Sequence, residues 1–195
     1  VTGKGAVKIP GAYGGFAGGI IGYCKAESFL LTHCYATIDV EAIAIATSLA
    51  KIRAGGIVGN VGRFGEDVGE ISYTYATGNV KVSGSNRDAG GIVGFVSASA
   101  SVSTSNNLSL NGNITCESGG NRSVGYAGSS PSVSNNYAST RTKINGSPIN
   151  SNDPSSWQGA NTWLYTFEDD LKKEPAGNAN GWNTAWTWAK GKLPQ

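Results

Sequence analysis

The phrase Ala-Gly-Gly-Ile-(Ile/Val)-Gly stands three times in this chain, beginning at Ala17, Ala54 and Ala89. A degenerate copy, Arg-Ser-Val-Gly-Tyr-Ala, begins at Arg122. Aligned on Gly22, Gly59, Gly94 and Gly125, each copy is followed about a dozen residues later by a second phrase, starting at His33, Tyr73, Asn106 and Asn135. Tyr35, Tyr75, Leu108 and Tyr137 then hold equivalent places, with Leu31, Ile71, Thr104 and Val133 four residues upstream. A unit of roughly 30–40 residues, repeated in order, cannot bury its apolar face alone; stacking the units makes one continuous core.

Inside the unit the apolar period is two. Ile71, Tyr73 and Tyr75 are expected to share one face, and after the Ala-Thr-Gly-Asn break Val80 and Val82 resume the alternation. That pattern fits strands joined by turns and not amphipathic helices. The glycines of the first phrase read as corners, where φ is positive or two backbones come close. They do not read as a phosphate cradle, because no Gly-x-Gly-x-x-Gly opens a helix and no lysine holds a Walker position. The expected fold is all-β: a parallel β-helix (β-solenoid) of about four repeats over residues 1–149, with residues 150–195 as a Trp-rich C-terminal cap of the same domain. Equivalent side chains would pile into ladders, Ile and Val inside and Asn over Asn at turns. A β-propeller is less favoured, since each copy offers at most three evident strands and four blades is the lower limit.

Composition agrees with this. Glycine contributes 29 of 195 residues, methionine is missing, and charged residues make up only 14%. The low charge argues against a disordered chain, and the Ser, Asn and Thr that replace it favour sheet and turn. With a net charge of +2 and no basic run, nucleic acid is a poor partner. No apolar run approaches the ~20 residues of a membrane span, so no membrane insertion is expected of this segment. The chain begins at Val1 without a signal peptide, so an export signal is expected to have been removed or to lie outside it. Cys24, Cys34 and Cys116 are too few to staple a fold. Cys24 and Cys34 could pair across adjacent turns; otherwise all three serve as small buried apolar groups.

Taken in order, Ala54–Val82 resembles the GLUG motif, a Gly-bracketed apolar phrase followed by a Tyr-Ala-Thr-Gly-Asn-Val type of phrase, with Ile in the Leu position here. Ala17–Val40 and Ala89–Ile114 match well, and Asn121–Ile144 matches weakly because its leading Ala-Gly-Gly is missing. The resemblance covers about two-thirds of the chain. It implies a β-solenoid module of exported or surface-anchored bacterial proteins, including adhesin-like proteins and companions of IgA-specific metallopeptidases. It supplies no catalytic residues. The segment Trp182–Pro194 resembles the closing piece that follows such arrays.

Sites for chemistry are sparse. His33 is the sole histidine, and its place in the repeat makes it a ladder residue. Cys34 beside it is expected on the opposite strand face, which removes a Cys-His pair. No Cys-x-x-Cys or His-Glu-x-x-His spacing suggests zinc, and neither metal nor cofactor is expected. The carboxylate pairs Asp39/Glu41, Glu66/Asp67 and Asp169/Asp170 read as solvating charges. Arg53, Arg63 and Arg87 fall in different repeats with no carboxylate ladder beside them, which weighs against a polysaccharide lyase. Four sequons, at Asn107, Asn113, Asn121 and Asn145, are unremarkable in an Asn/Ser-rich chain. A short helical turn is expected from Phe167, ended by Pro175. The tryptophans read as a cap, with a sugar-stacking platform as the second reading. Candidate binding residues are Trp182, Trp186 and Trp188, together with Arg63, Glu66 and Asp67 in the Gly62–Gly69 loop.

The function expected is therefore that of a non-enzymatic bacterial cell-surface adhesin, binding extended glycans or host protein surfaces. A rigid spacer within a larger secreted protein, such as a surface peptidase, is the alternative.

Overall fold

The computed structural model describes residues 14–43, 51–62, 67–84, 87–117, 120–127, 132–153, 155–156 and 158–162. All five tryptophans, the expected turn at Phe167, Arg63 and Glu66 lie outside the described residues. Among the described residues every regular element is a strand. The strands stack into five sheets, and the first twenty fall into them in rotation, every fifth strand in the same sheet. Sheet 1 contains Gly14–Gly18, Lys51–Gly55, Arg87–Gly90 and Gly120–Asn121. Sheet 2 contains Ile21–Cys24, Val58–Val61, Val93–Val96 and Val124–Ala127. Sheet 3 contains Ser28–Thr32, Val68–Ser72, Ser101–Ser105 and Ser132–Ser134. Sheet 4 contains Tyr35–Ala36, Tyr75–Ala76, Leu108–Ser109, Tyr137–Ser139 and Ala160–Thr162. Sheet 5 contains Val40–Ile43, Val80–Ser83, Asn113–Cys116, Lys143–Ile144 and Ser147–Pro148. Pairing is parallel throughout except for Ser147–Pro148. This is the architecture of a parallel β-solenoid, each turn of which is called a coil below.

The register places repeat-equivalent residues directly over one another. Ala17, Ala54 and Ala89 stack in sheet 1, and Leu31, Ile71, Thr104 and Val133 stack in sheet 3. Tyr35, Tyr75, Leu108 and Tyr137 stack in sheet 4, with the first two rings 5.0 Å apart and nearly coplanar. Each coil carries five strands rather than three. The two extra strands escape a reading of periodicity because sheet 4 strands are as short as two residues and the Gly-Gly corner splits one apolar phrase into two strands.

Between sheets 3 and 4 the chain turns through a left-handed residue in every coil. His33, Tyr73, Asn106 and Asn135 have φ of 54°, 51°, 55° and 52°. This corrects the shared face expected for Ile71, Tyr73 and Tyr75. The corner resets the alternation, so Ile71 and Tyr75 are fully buried while Tyr73 is half-buried and stacks on His33 at 5.3 Å. Left-handed backbone costs a side-chain-bearing residue of order 1 kcal/mol, least for Asn, which two of the four corners use.

The residue after this corner ties the coils together. Asn107 Oδ1 accepts from the Thr74 amide at 3.1 Å and hydroxyl at 2.9 Å, and Asn107 Nδ2 donates to the Ile71 carbonyl at 2.9 Å. Asn136 repeats this one coil on, accepting from the Asn107 amide at 3.0 Å and donating to Thr104 O at 2.8 Å. A second ladder runs along the outer corner before sheet 5, where the Asn79 amide donates to Asp39 Oδ1 at 2.7 Å and the Asn113 amide to Asn79 Oδ1 at 2.8 Å. Asn107 is 1% exposed, so Asn107→Ala orphans three buried polar groups. We expect a loss of about 2–3 kcal/mol, read as a lower urea midpoint at unchanged slope.

Glycine decides the cross-section. Sheets 1 and 2 fold back on each other as a wedge whose tip is the Gly-Gly corner. A Cβ on Gly56 would lie 2.1 Å from the Gly91 carbonyl oxygen of the next coil and 2.6 Å from the Ala76 Cβ of sheet 4. Close approach, not positive φ, is therefore what the Gly-Gly corner requires. The wedge divides the interior in two. One core lies between sheets 1 and 5 and contains Ala54, Val80, Ile114 and Cys116. The other is lined by sheets 2 and 3 and the Ala36 and Ala76 side chains, and contains Ile57, Val58, Ile71 and Ile92.

Two features mark the last described level of the stack. Arg122 stands where Gly19, Gly56 and Gly91 stand in earlier coils. It is fully buried, and its guanidinium donates to the Asn161 side-chain oxygen at 2.7 Å and to the Gly159 carbonyl at 2.9 Å, across the last described level of the stack. Asn145-Gly146, with φ of 50° and 80°, forms the two-residue turn that folds Ser147–Pro148 back along the end of sheet 5. Pro148 cannot donate a further ladder bond, which blunts that edge.

Candidate binding site

Opposite its tip the wedge opens to solvent. The residues immediately before each Ala-Gly-Gly are Phe16, Arg53 and Asp88, stacked in register on sheet 1. Those immediately after each closing glycine are Tyr23, Asn60 and Phe95, stacked in register on sheet 2. The fold-back brings the two rows face to face. Phe16 and Tyr23 pack with ring centroids 5.2 Å apart. Arg53 crosses the gap: Nε donates to Asp88 Oδ2 at 3.2 Å, Nη1 donates to Asn60 Oδ1, and the guanidinium carbon sits 3.2 Å from the Phe95 ring centroid. Asn60 is held in turn by donating Nδ2 to the Gly62 carbonyl at 3.2 Å. The groove so formed encloses about 480 Å³, in the range of small-ligand sites.

Its electrostatics are those of a desolvated ion pair. The Arg53 side chain is 10% exposed and the Asp88 side chain 23%. Burial lowers the Arg53 pKa from its ordinary value, opposed by Asp88; burial raises that of Asp88, opposed first by Arg53. Lys51, two residues before Arg53 on the same strand and so on the same side, is exposed at the rim.

The arginines meet carboxylates in single pairs and not as a ladder. Asp88 meets Arg53, and Glu117 meets Arg87 at 2.6 Å. Both pairs join residues of adjacent coils, a neighbourhood that exists only once the register is set. Asp39 and Glu41 are also drawn into the stack, Glu41 pairing with Lys81 at 2.8 Å.

The residues expected to bind are placed differently. Trp182, Trp186, Trp188, Arg63 and Glu66 lie outside the described residues. Asp67 is not a solvating loop charge: it is buried beside Cys24, whose thiol is pushed up by burial first and by Asp67 second. None of the three cysteines forms a disulfide. Cys116 lies in the core, and the Cys34 thiol, also raised by burial, donates to the Thr32 carbonyl at 3.2 Å. His33 Nδ1 lies 2.8 Å from the Thr32 hydroxyl. The sequon at Asn107 is sealed inside the stack.

A larger depression of about 680 Å³ lies along sheet 3, between Ser28, Leu30, Val68, Glu70, Ser101 and Ser103. Leu30 and Val68 are exposed there at 67% and 53%. The smaller groove is the better-built site, because it sets a buried ion pair against aromatic rings. Sequence reasoning missed the groove, although a signal was present. The six-residue phrase is nearly invariant between copies, whereas its two flanking residues change each time. No family model, curated protein or solved structure matches the chain.

Proposed function

We propose that this chain is a non-catalytic binding module of the GLUG type, an adhesin-like β-solenoid of four repeats closed by a Trp-rich C-terminal cap. On this reading it works at the bacterial cell surface and holds extended glycans or host protein surfaces. The observation that carries the reading is the groove. An unvarying phrase builds the wedge, and the variable residues on either side of it, Phe16, Tyr23, Arg53, Asn60, Asp88 and Phe95, converge on one solvent-facing cleft. Aromatic rings supply flat apolar area and the planar polar groups supply direction, which is how sites for sugar rings are composed. Contacts repeated along the stack would add by multivalency.

The test is a screen of the purified chain against a broad glycan array and a panel of extracellular host proteins. It is run beside Phe16→Ala/Tyr23→Ala, whose fold is checked by circular dichroism and melting. The expected result is specific glycan binding that weakens about tenfold or more, ~1.4 kcal/mol, in the folded variant. Silence on both panels would reject the adhesin reading in favour of a spacer that holds another domain of a larger secreted protein.

A further inference from the structure

We infer that the groove takes an anionic sugar residue, its carboxylate bound between Arg53 Nη2 and Lys51 Nζ and its ring face laid on Tyr23. This rests on the glycan-binding reading and narrows its substrate class. Three observations converge on it. First, Arg53 is more than nine-tenths buried and lines the cavity. Its Nε and Nη1 are spent on Asp88 and Asn60, and Nη2 makes no hydrogen bond among the described residues. Nη2 is not among the buried polar atoms without a partner, so it opens to the groove, where an outside acceptor can reach it. Its plane is locked by the Phe95 ring at 3.2 Å, so the donor is already oriented and little is lost in ordering it on binding.

Second, the charges are uneven. Lys51 and Arg53 share one side of one strand, and Asp88 offsets only one of them. Among the described residues the rim is left positive by one, on the Lys51 side of the groove. That suits a single carboxylate. A denser polyanion would be turned back by Asp88.

Third, the opposing wall is aromatic. Tyr23 is 38% exposed and leans on Phe16, offering an open face to a pyranose ring beside the anion site. A free carboxylic acid would use the cations but leave that face unused. A neutral sugar could offer Nη2 a hydroxyl oxygen but no charge to offset the surplus cation.

The probes are a tetrasaccharide alternating N-acetylglucosamine with glucuronate, and the same oligosaccharide carboxyl-reduced to glucose. Binding is measured by calorimetry at low and physiological salt, on the full chain and on Lys51→Gln. Lys51 is exposed, and its replacement leaves the packed pair intact. We expect the acidic form to bind about tenfold tighter than the reduced form at low salt. The preference should shrink with salt and fall below about threefold in Lys51→Gln. Equal binding of both forms overturns the anionic assignment and leaves glycan binding standing. A preference for acid that persists unchanged in Lys51→Gln overturns its placement in this groove. If neither form binds, the assignment is overturned, and the array then separates the two claims: hits on neutral glycans keep the binding reading, and silence rejects both.

Discussion

Gly91→Ala is expected to prevent the stack from closing between its third and fourth coils. The added Cβ would lie 2.1 Å from the Arg122 carbonyl oxygen and 2.1 Å from Ser109 Oγ. The hydroxyl could rotate away, but the carbonyl is backbone of the next coil, and that coil is pinned: the Gly91 amide donates to Asn121 O at 3.2 Å and the Ile92 amide to Ser123 O at 2.9 Å. Relief therefore requires the wedge tip to part from the next rung along several ladder bonds together. We expect a loss above about 4 kcal/mol, a large share of the ~5–15 kcal/mol that stabilises an ordinary domain. In a chain this long that lowers the melting temperature by roughly 8–16 °C or more. Gly120→Ala is the control. The nearest atoms to its Cβ would be Ile114 Cγ2 at 3.3 Å and the Ala89 oxygen at 3.4 Å, so a cost within about 1 kcal/mol is expected. Equal melting of both variants would show that the wedge tip is not the close contact described.

The second large effect belongs to Arg122. Arg122→Ala empties the end of the core and strands the Gly159 carbonyl and the Asn161 side-chain oxygen; we expect a loss of about 3–5 kcal/mol. Arg122→Met keeps the length and discards the charge. It strands the same two oxygens but fills the space and removes a buried cation whose Nε has no partner and which no carboxylate among the described residues pairs. The two effects oppose each other, so its expected cost is about 1–2 kcal/mol, well below that of alanine.

Alkaline pH offers an independent check. Burial lowers the Arg122 pKa from its ordinary value to about 10. The folded state then gives up this proton before the unfolded chain does, so from about pH 10 up to the ordinary arginine range the unfolded state binds more protons. The desolvation penalty is fully present below pH 10 and is lost as pH rises through that window. The stability of the parent chain relative to Arg122→Met should therefore increase from pH 10 upward, as measured by urea unfolding at each pH. A flat difference would mean that the guanidinium is hydrated.

Arg122 also explains why the fourth copy lacks its leading Ala-Gly-Gly. In the first three coils that position is pressed by the backbone of the coil above, and glycine alone fits. Above the fourth coil the described residues form no further wedge; Gly159 and Asn161 lie there instead, and the Arg122 side chain fills the space between. What looks in sequence like decay of a repeat is a side chain that fills a space the earlier coils do not have.

Strand character, repeat register and the Asn ladders were legible in the sequence because they depend on periods of two and of one coil, both visible along the chain. The left-handed corner at Tyr73 was not legible, since neither tyrosine nor histidine advertises positive φ; stacking on the neighbouring coil imposes it. The groove lay hidden for a related reason. Arg53 and Asp88 are 35 residues apart, and neither they nor Asn60 and Phe95 form a motif.

The sequence by itself thus determined an all-β stack of repeating units, because an apolar face too small to bury alone can be satisfied only by a copy of itself. Only the tertiary structure decided that the glycine phrase folds into a wedge, that the wedge divides the core in two, and that the residues flanking it meet in a cleft. Those outcomes depend on which atoms come within a few ångströms across coils, and that distance is set by packing rather than by any order of residues along the chain.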